Sequence, residues 1–296
     1  MPPLKPPPLR PGDRVAVIAP SGPFDLPAFE TGLALLRRRY DVTHAPDIFA
    51  RARYLAGDDA RRARELQDAL DDDAVGAIFC ARGGYGAMRL LPRLVLGKAK
   101  PKHLVGFSDV TALHAWLLQS GRVCLHAPVL TQLGRQGSEV ASGLYRWLED
   151  PSPPAPWTGA ACFVEGRAEG TLVGGNLSVL TRLLGTRFLP PLDGALLFLE
   201  DVGERPYRLD RMWTHLALAG VFERVRGLVL GTFTDCDDKD ASALEVLRDL
   251  AKETGLPCAQ SFSSGHSDPN HALALGIHAR LDATSGTLTF LEGAVA

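Results

Sequence analysis

The stretch Leu104-Val105-Gly106-Phe107-Ser108-Asp109-Val110 decides how this chain is read. Apolar residues run into a glycine, an aromatic and a serine, and an acidic residue then opens a helical pattern. This predicts a strand ending just before Ser108, a tight turn on Ser108, and a helix starting at Asp109 or Val110. Such a turn lifts a hydroxyl out at the carboxyl end of a sheet strand and aims the helix's first N–H groups at it. A serine there either caps the helix or acts as a nucleophile, and the local sequence leaves both open. Residue 110 is valine, so the GxSxG pattern of ordinary α/β-hydrolases is not met.

Outward from this turn the chain alternates. Residues 14–19 (RVAVIA), 75–80 (VGAIFC) and 103–107 read as buried strands, and 41–44 as a further strand. Helices are expected over 27–40, from an Asp58 cap to Leu70, over 87–94 and over 110–118. Strands alternating with helices predict an α/β fold with a mostly parallel sheet covered on both faces. Glu149 to Thr158 (EDPSPPAPWT) holds four prolines and breaks the composition. It marks a linker, drawn over 149–165, between an N-terminal domain (1–148) and a C-terminal one (166–296). Beyond it strands are expected at 162–164, 170–173, 195–200, 225–230, 257–262, 272–277, 278–282 and 287–291. Helices are expected over 178–184, 209–219 and 241–254, so this half is α/β with more β at its end.

The bulk numbers exclude several classes. The 296 residues are 46% hydrophobic and 22% charged, as in an ordinary globular protein. A net charge of -2 gives no reason to expect nucleic acid or a membrane surface as partner. The five cysteines are odd in number, far apart and without a CxxC pair. Neither a disulfide framework nor a thiolate metal site is expected, and a reducing compartment is. Met1 to Gly12 is rich in proline without an apolar core, so no signal peptide is read there, and no window reaches the ~18 apolar residues of a membrane span. The expected setting is the cytoplasm.

A serine hydroxyl needs a base beside it to act as a nucleophile. Ser21 also follows a strand and precedes a helix, but prolines on both sides suit a rigid turn. Of eight histidines, His266 and His271 lie in or beside a loop, Ser261 to Asn270 (SFSSGHSDPN), that follows a buried strand. His266 is free there to reach a site at the sheet edge. A metal held by His266 and His271 lacks a third ligand nearby. A base histidine needs a carboxylate to hold its tautomer. Glu200 closes the buried run ALLFLE, and a buried carboxylate must have a dedicated partner. That partner is an arginine such as Arg205 or Arg208, or it is His266. Arg82-Gly83-Gly84-Tyr85-Gly86 follows a strand and lets backbone N–H groups approach a ligand. It is neither a P-loop nor a GxGxxG fingerprint. With the N–H of Asp109 it suits an oxyanion hole, and Arg82 suits a substrate carboxylate. Asn176, after two glycines, either lines the same cleft or caps the following helix.

Six stretches together resemble the LD-carboxypeptidase family, serine peptidases of murein tetrapeptide recycling that include the microcin C self-immunity peptidases. They are GDRVAVIAPSGP, ARGGYGAMRLL, VGFSDVTALH, GTLVGGNLSVL, LLFLEDVGERPYRLDRM and SFSSGHSDPN, running from Gly12 to Asn270 in the family's order and spacing, with the likeness continuing to about Leu281. The resemblance implies a Ser-Glu-His triad on Ser108, Glu200 and His266, although Phe107 stands where the family often has tyrosine. It implies an N-terminal α/β sandwich, a C-terminal β-rich domain, a site between them and a homodimer. The implied reaction releases a terminal D-alanine from a short peptide, with no metal and no cofactor. Cleavage of aminoacyl-nucleotide amides, or muropeptide binding without catalysis, are the alternatives.

Overall fold

The computed structural model describes residues 3–97 and 99–296. The strands, numbered along the chain, fall into two sheets. The first half supplies β1 (Arg14–Ile18), β2 (Asp41–His44), β3 (Val75–Cys80), β4 (His103–Gly106) and β5 (Cys124–His126). The second half supplies β6 (Ala161–Val164), β7 (Arg167–Asn176), β8 (Leu196–Val202), β9 (Gly227–Thr234), β10 (Cys258–Gln260), β11 (Leu273–Leu275), β12 (His278–Asp282) and β13 (Thr287–Phe290). The first sheet has the order β11-β5-β4-β3-β1-β2 and the second β13-β12-β7-β8-β9-β10-β6. All pairs among β1 to β5 are parallel, and β11 joins their edge antiparallel to β5. In the second sheet β7, β8, β9 and β10 run parallel and the outer strands antiparallel. The expected α/β class, parallel sheet first and more β later, is what the chain adopts.

Every parallel crossover except β3 to β4 uses an α-helix. In the first half these are α1 (Leu26–Arg37), α2 (Asp59–Asp71) and α3 (Thr111–Gln119), followed by α4 (Leu130–Leu133) and α5 (Ser138–Glu149). The second half adds α6 (Leu177–Thr181), α7 (Pro206–Leu218), α8 (Val221–Arg224) and α9 (Ala243–Thr254). Helix α1 starts where the Asp25 carboxylate accepts the Ala28 N–H at 2.9 Å, and α2 where the Asp58 carboxylate accepts the Arg61 N–H at 2.7 Å. Each cap satisfies an otherwise orphaned donor and is worth about 1 kcal/mol. Among the described residues no helix is long and apolar enough to cross a membrane.

The helix expected over 87–94 is absent. Two single 3-10 turns, Ala87–Arg89 and Leu91–Arg93, stand there. Pro92 has no N–H to continue a helix. Strand β5 and helix α5 lie in a stretch the sequence reading leaves unassigned. β5 has three residues, too few for a pattern, and is held by its neighbours β4 and β11.

Order in the first sheet reverses around β1: β2 lies on one side and β3 on the other. In open α/β sheets such a reversal leaves a crevice outside the carboxyl ends of the strands. The ends of β1 and β3, with that of β4 beside them, carry Ser21, the Arg82–Gly86 run and Ser108. In the second sheet β7 and β8 lie close: a Cβ on Gly174, which has φ +129, would stand 2.0 Å from the Phe198 carbonyl oxygen. Gly174→Ala adds both overpacking (~1–3 kcal/mol) and a forbidden φ (~1–3 kcal/mol). We expect a fall in the urea midpoint worth about 3 kcal/mol or more, at unchanged slope.

Candidate active site

Strand β4 ends at Gly106, Phe107 is extended, and Ser108 turns back with φ +64 before a 3-10 turn (Ser108–Val110) leads into α3. A non-glycine residue at this φ is strained by roughly 1–3 kcal/mol and persists only where its surroundings hold it. The turn is tight: a Cβ on Gly106 would lie 3.0 Å from Val110 Cγ2 and 3.1 Å from Cys80 Cβ. The holding group is the Asp109 carboxylate, almost fully buried, which accepts the Ser21 hydroxyl at 2.6 Å and the Ala87 N–H at 2.8 Å. One carboxylate thus ties the ends of β1, β3 and β4 together. Burial pushes its pKa up, against the hydrogen bonds that favour the charged form. Ser21, the rival nucleophile, is fully buried and committed to this bond.

The glycine run lies directly on the serine. A Cβ on Gly83 would stand 3.0 Å from Ser108 Cβ and 3.2 Å from its Oγ, so any side chain there crowds the hydroxyl. Gly84 and Gly86 take φ +110 and +130, open to glycine alone at little cost. Among the described residues the N–H groups of Gly83, Gly84 and Asp109 meet no protein acceptor. From behind, the fully buried Arg62 donates to the carbonyls of Pro20 and Gly86, and so braces both loops. Arg82 is exposed and folds over the neighbouring loop, donating to the Pro23 carbonyl at 2.6 Å.

Glu200 is fully buried near the end of β8, where the pairing with β9 shifts register between Leu199 and Asp201. One of its oxygens, Oε2, accepts both His266 Nδ1 at 2.7 Å and the His266 backbone N–H at 3.1 Å. Its other oxygen receives Asn176 Nδ2 at 3.3 Å. The loop backbone presses on the carboxylate: a Cβ on Gly265 (φ +117) would overlap Oε2 at 2.5 Å. With Nδ1–H donated to Glu200, the other ring nitrogen of His266 carries the lone pair and has no protein partner. The ring packs on Phe107, the residue before Ser108, with centroids 4.7 Å apart. No hydrogen bond joins His266 to the Ser108 hydroxyl. Burial alone would lower the His266 pKa, but the hydrogen bond and charge of Glu200, with the charge of Asp201, outweigh it and raise it. Beneath Phe107, His126 is fully buried and held neutral by burial, its pKa well below the ordinary value.

Of the groups singled out in the sequence, the fold sets Gly83 against Ser108 and pairs Glu200 with His266, whose ring lies on Phe107 next to Ser108. Asn176 takes the capping position that the sequence offered as one of two readings. It is buried; its Oδ1 caps α6 by accepting the Val179 N–H at 3.1 Å and the Ser178 hydroxyl at 2.8 Å. Its Nδ2 holds Glu200 and, at 3.0 Å, Asp201 Oδ1. Arg208 pairs with Glu204 rather than Glu200. His271 stacks near Trp157, and the described residues contain no grouping of three or more metal-ligating side chains. Asp201 was not foreseen. It is buried beside Glu200, and burial followed by the Glu200 charge pushes its pKa up to about 6. Its adjacency in FLED was the available signal, but strand alternation places neighbours on opposite faces; the β8–β9 register shifts here, and Asn176 Nδ2 bonds both carboxylates.

Comparison with known proteins places the chain in a family. Residues 15–127 match the LD-carboxypeptidase N-terminal domain and residues 169–281 the LD-carboxypeptidase C-terminal domain. The chain belongs to the LD-carboxypeptidase family of serine peptidases. It is 39% identical to a putative carboxypeptidase of Synechocystis sp., with 97% of each chain covered. It is 35% identical to the murein tetrapeptide carboxypeptidase of Pseudomonas aeruginosa, covering 91% of this chain and 93% of that one. In fold it is similar to MccF solved with glutamyl sulfamoyl guanosine (TM-score 0.90, 23% identity, 99% of this chain and 100% of that chain).

The His266 titration tests the electrostatics directly. NMR of the imidazole should give an inflection above the ordinary 6.5. Glu200→Gln removes the charge and leaves burial to dominate, so the inflection should fall to 6.5 or below; an unmoved inflection contradicts the pairing.

Proposed function

We propose that this protein is a serine LD-carboxypeptidase that releases the terminal D-alanine from murein tetrapeptides. The observation that carries the reading is the His266–Glu200 pair, 2.7 Å apart, beside a serine held at positive φ. Ser108 Oγ attacks the carbonyl carbon before the last residue, and its proton passes to His266 Nε2. The carbonyl oxygen becomes an oxyanion, held by the N–H groups of Asp109 and of Gly83 or Gly84. The intermediate collapses, the C–N bond breaks, and His266 returns the proton to the leaving amine. Water then attacks the acyl ester, His266 takes its proton, and Ser108 is restored. Glu200 keeps the Nδ1–H tautomer in place and stabilises the imidazolium without taking its proton. Arg82 is assigned to the free carboxylate of the leaving residue, which an exopeptidase must recognise. It reaches substrate by giving up a single bond to a carbonyl. The name of the Pseudomonas relative supports the tetrapeptide substrate. The five free thiols, four of them buried, support a reducing cytoplasm.

Ser108→Ala should abolish D-alanine release from a murein tetrapeptide while the circular dichroism spectrum stays native; retained turnover would falsify the assignment. Glu200→Gln should lower kcat by roughly 10³–10⁴-fold, the scale seen when a triad carboxylate is neutralised. Because the neutral imidazole is the base, kcat/KM in the wild type should rise with pH through an inflection above 6.5. The similarity in fold to MccF motivates one parallel assay. Turnover of an aminoacyl sulfamoyl nucleoside at a rate exceeding that on the tetrapeptide would favour an immunity-type peptidase instead.

A further inference from the structure

The loop that carries His266 has an unusual span. It leaves β10 in the second sheet at Gln260 and enters β11 in the first sheet at Leu273. Its two ends are therefore anchored in different sheets, and the position of His266 depends on what fixes the middle. Three amide side chains do so. Asn270 is fully buried, and its Oδ1 accepts the Gly265 N–H at 2.9 Å, one residue before His266. Its Nδ2 donates to Gln132 Oε1 at 3.0 Å, and its backbone N–H donates to Gln136 Oε1 at 2.8 Å. Both glutamines also approach the Ser267 carbonyl, one residue after His266, at 3.5 and 3.4 Å.

The glutamines belong to α4 and the turn that follows it, on the side of the first sheet. That short helix also holds the other wall of the site. Thr131 gives both its backbone N–H, at 3.1 Å, and its hydroxyl, at 3.0 Å, to the carbonyl of Ala81. Ala81 immediately precedes Arg82-Gly83-Gly84. One short element is thus bonded to the start of the glycine run and to the histidine loop from either side of the cleft.

We infer that α4 is a bracket that sets His266 against Ser108 and the glycine run, with Gln132, Gln136 and Asn270 as its positioning residues. The inference rests on the roles proposed above for Ser108, Glu200 and His266. None of the three amides touches substrate in this scheme. They fix the distance over which the proton moves, and a misplacement near 1 Å costs on the order of 10²-fold in rate. The glutamine oxygens accept the shorter bonds from Asn270, which glutamate keeps, while the long Nε2 bonds to Ser267 are lost in glutamate and methionine keeps neither set. Both glutamines are only partly buried, and neither change threatens the fold.

The test uses the full-length protein with Gln132→Met, Gln136→Met and the double variant, each beside its glutamate counterpart. Two quantities are read: kcat and KM on the tetrapeptide, and the His266 imidazole titration by NMR. The methionine variants should lower kcat by about 10- to 100-fold with KM within about threefold. Their His266 inflection should move toward 6.5 as the Glu200 contact loosens. The glutamate variants should restore kcat to within a few fold. Folded methionine variants with wild-type kcat and wild-type titration overturn the inference, as does equal loss in the methionine and glutamate series. If the wild type releases no D-alanine, the reaction assignment fails, and the titration alone still decides whether the bracket holds His266.

Discussion

A carboxylate with no exposure to water must be satisfied by the protein or be driven neutral. Glu200 is such a group, and much of the site follows from how it is satisfied. Two donors on one oxygen come from the same residue, the backbone and the ring of His266. The ring is thereby fixed in one tautomer and one orientation, and the loop must bring its backbone into contact, which is why Gly265 admits no Cβ. The third donor, Asn176, is opposite Glu200 in the β7–β8 register, so sheet pairing delivers it. Removing one partner from a buried charged pair costs about 3–5 kcal/mol, so the arrangement is self-enforcing.

A second set of buried charges stands behind Ser108. Asp109 links the loops after β1 and β3 to the serine turn, and Arg62 holds two of their carbonyls. Glu65, whose carboxyl is pushed up to about 7 mainly by burial, accepts the Ala19 N–H and pairs with Arg61. These groups carry a desolvation cost that a hydrophobic core would avoid. In return the serine turn and the glycine run are held without any side chain intruding on the hydroxyl. The strain at Ser108 persists because Asp109, the next residue, is bonded on both sides.

Most of the fold was legible because its signals are local. Buried β-branched runs at 14–19 and 75–80 and the Asp58 cap all act within a few residues. The errors have equally physical causes. The helix expected over 87–94 is replaced by two 3-10 turns, since Pro92 within it has no N–H to donate to a helical carbonyl. β5 is three residues long and exists through its partners. β11 adds to the first sheet although the five strands before it, β6 to β10, belong to the second, a long-range pairing that no periodicity announces.

The sequence by itself determined residue types in the right local settings: a serine at a strand–helix turn, glycines after a strand, a carboxylate closing an apolar run, a histidine in a loop. Each setting follows from short-range sterics and hydrophobic pattern, so each could be read along the chain. Which of them meet was decided by tertiary structure alone. Glu200 and His266 are joined by sheet register and by a loop that crosses between sheets. Asn176 is turned inward to a helix cap and two carboxylates. Ser21 is drawn into a bond with Asp109, and Gln132, Gln136 and Asn270 acquire a purpose only when α4 lies across the cleft. The reason is the same in each case: hydrogen bonds to buried groups are set by distance in space, and the residues that satisfy them lie tens to more than a hundred positions apart.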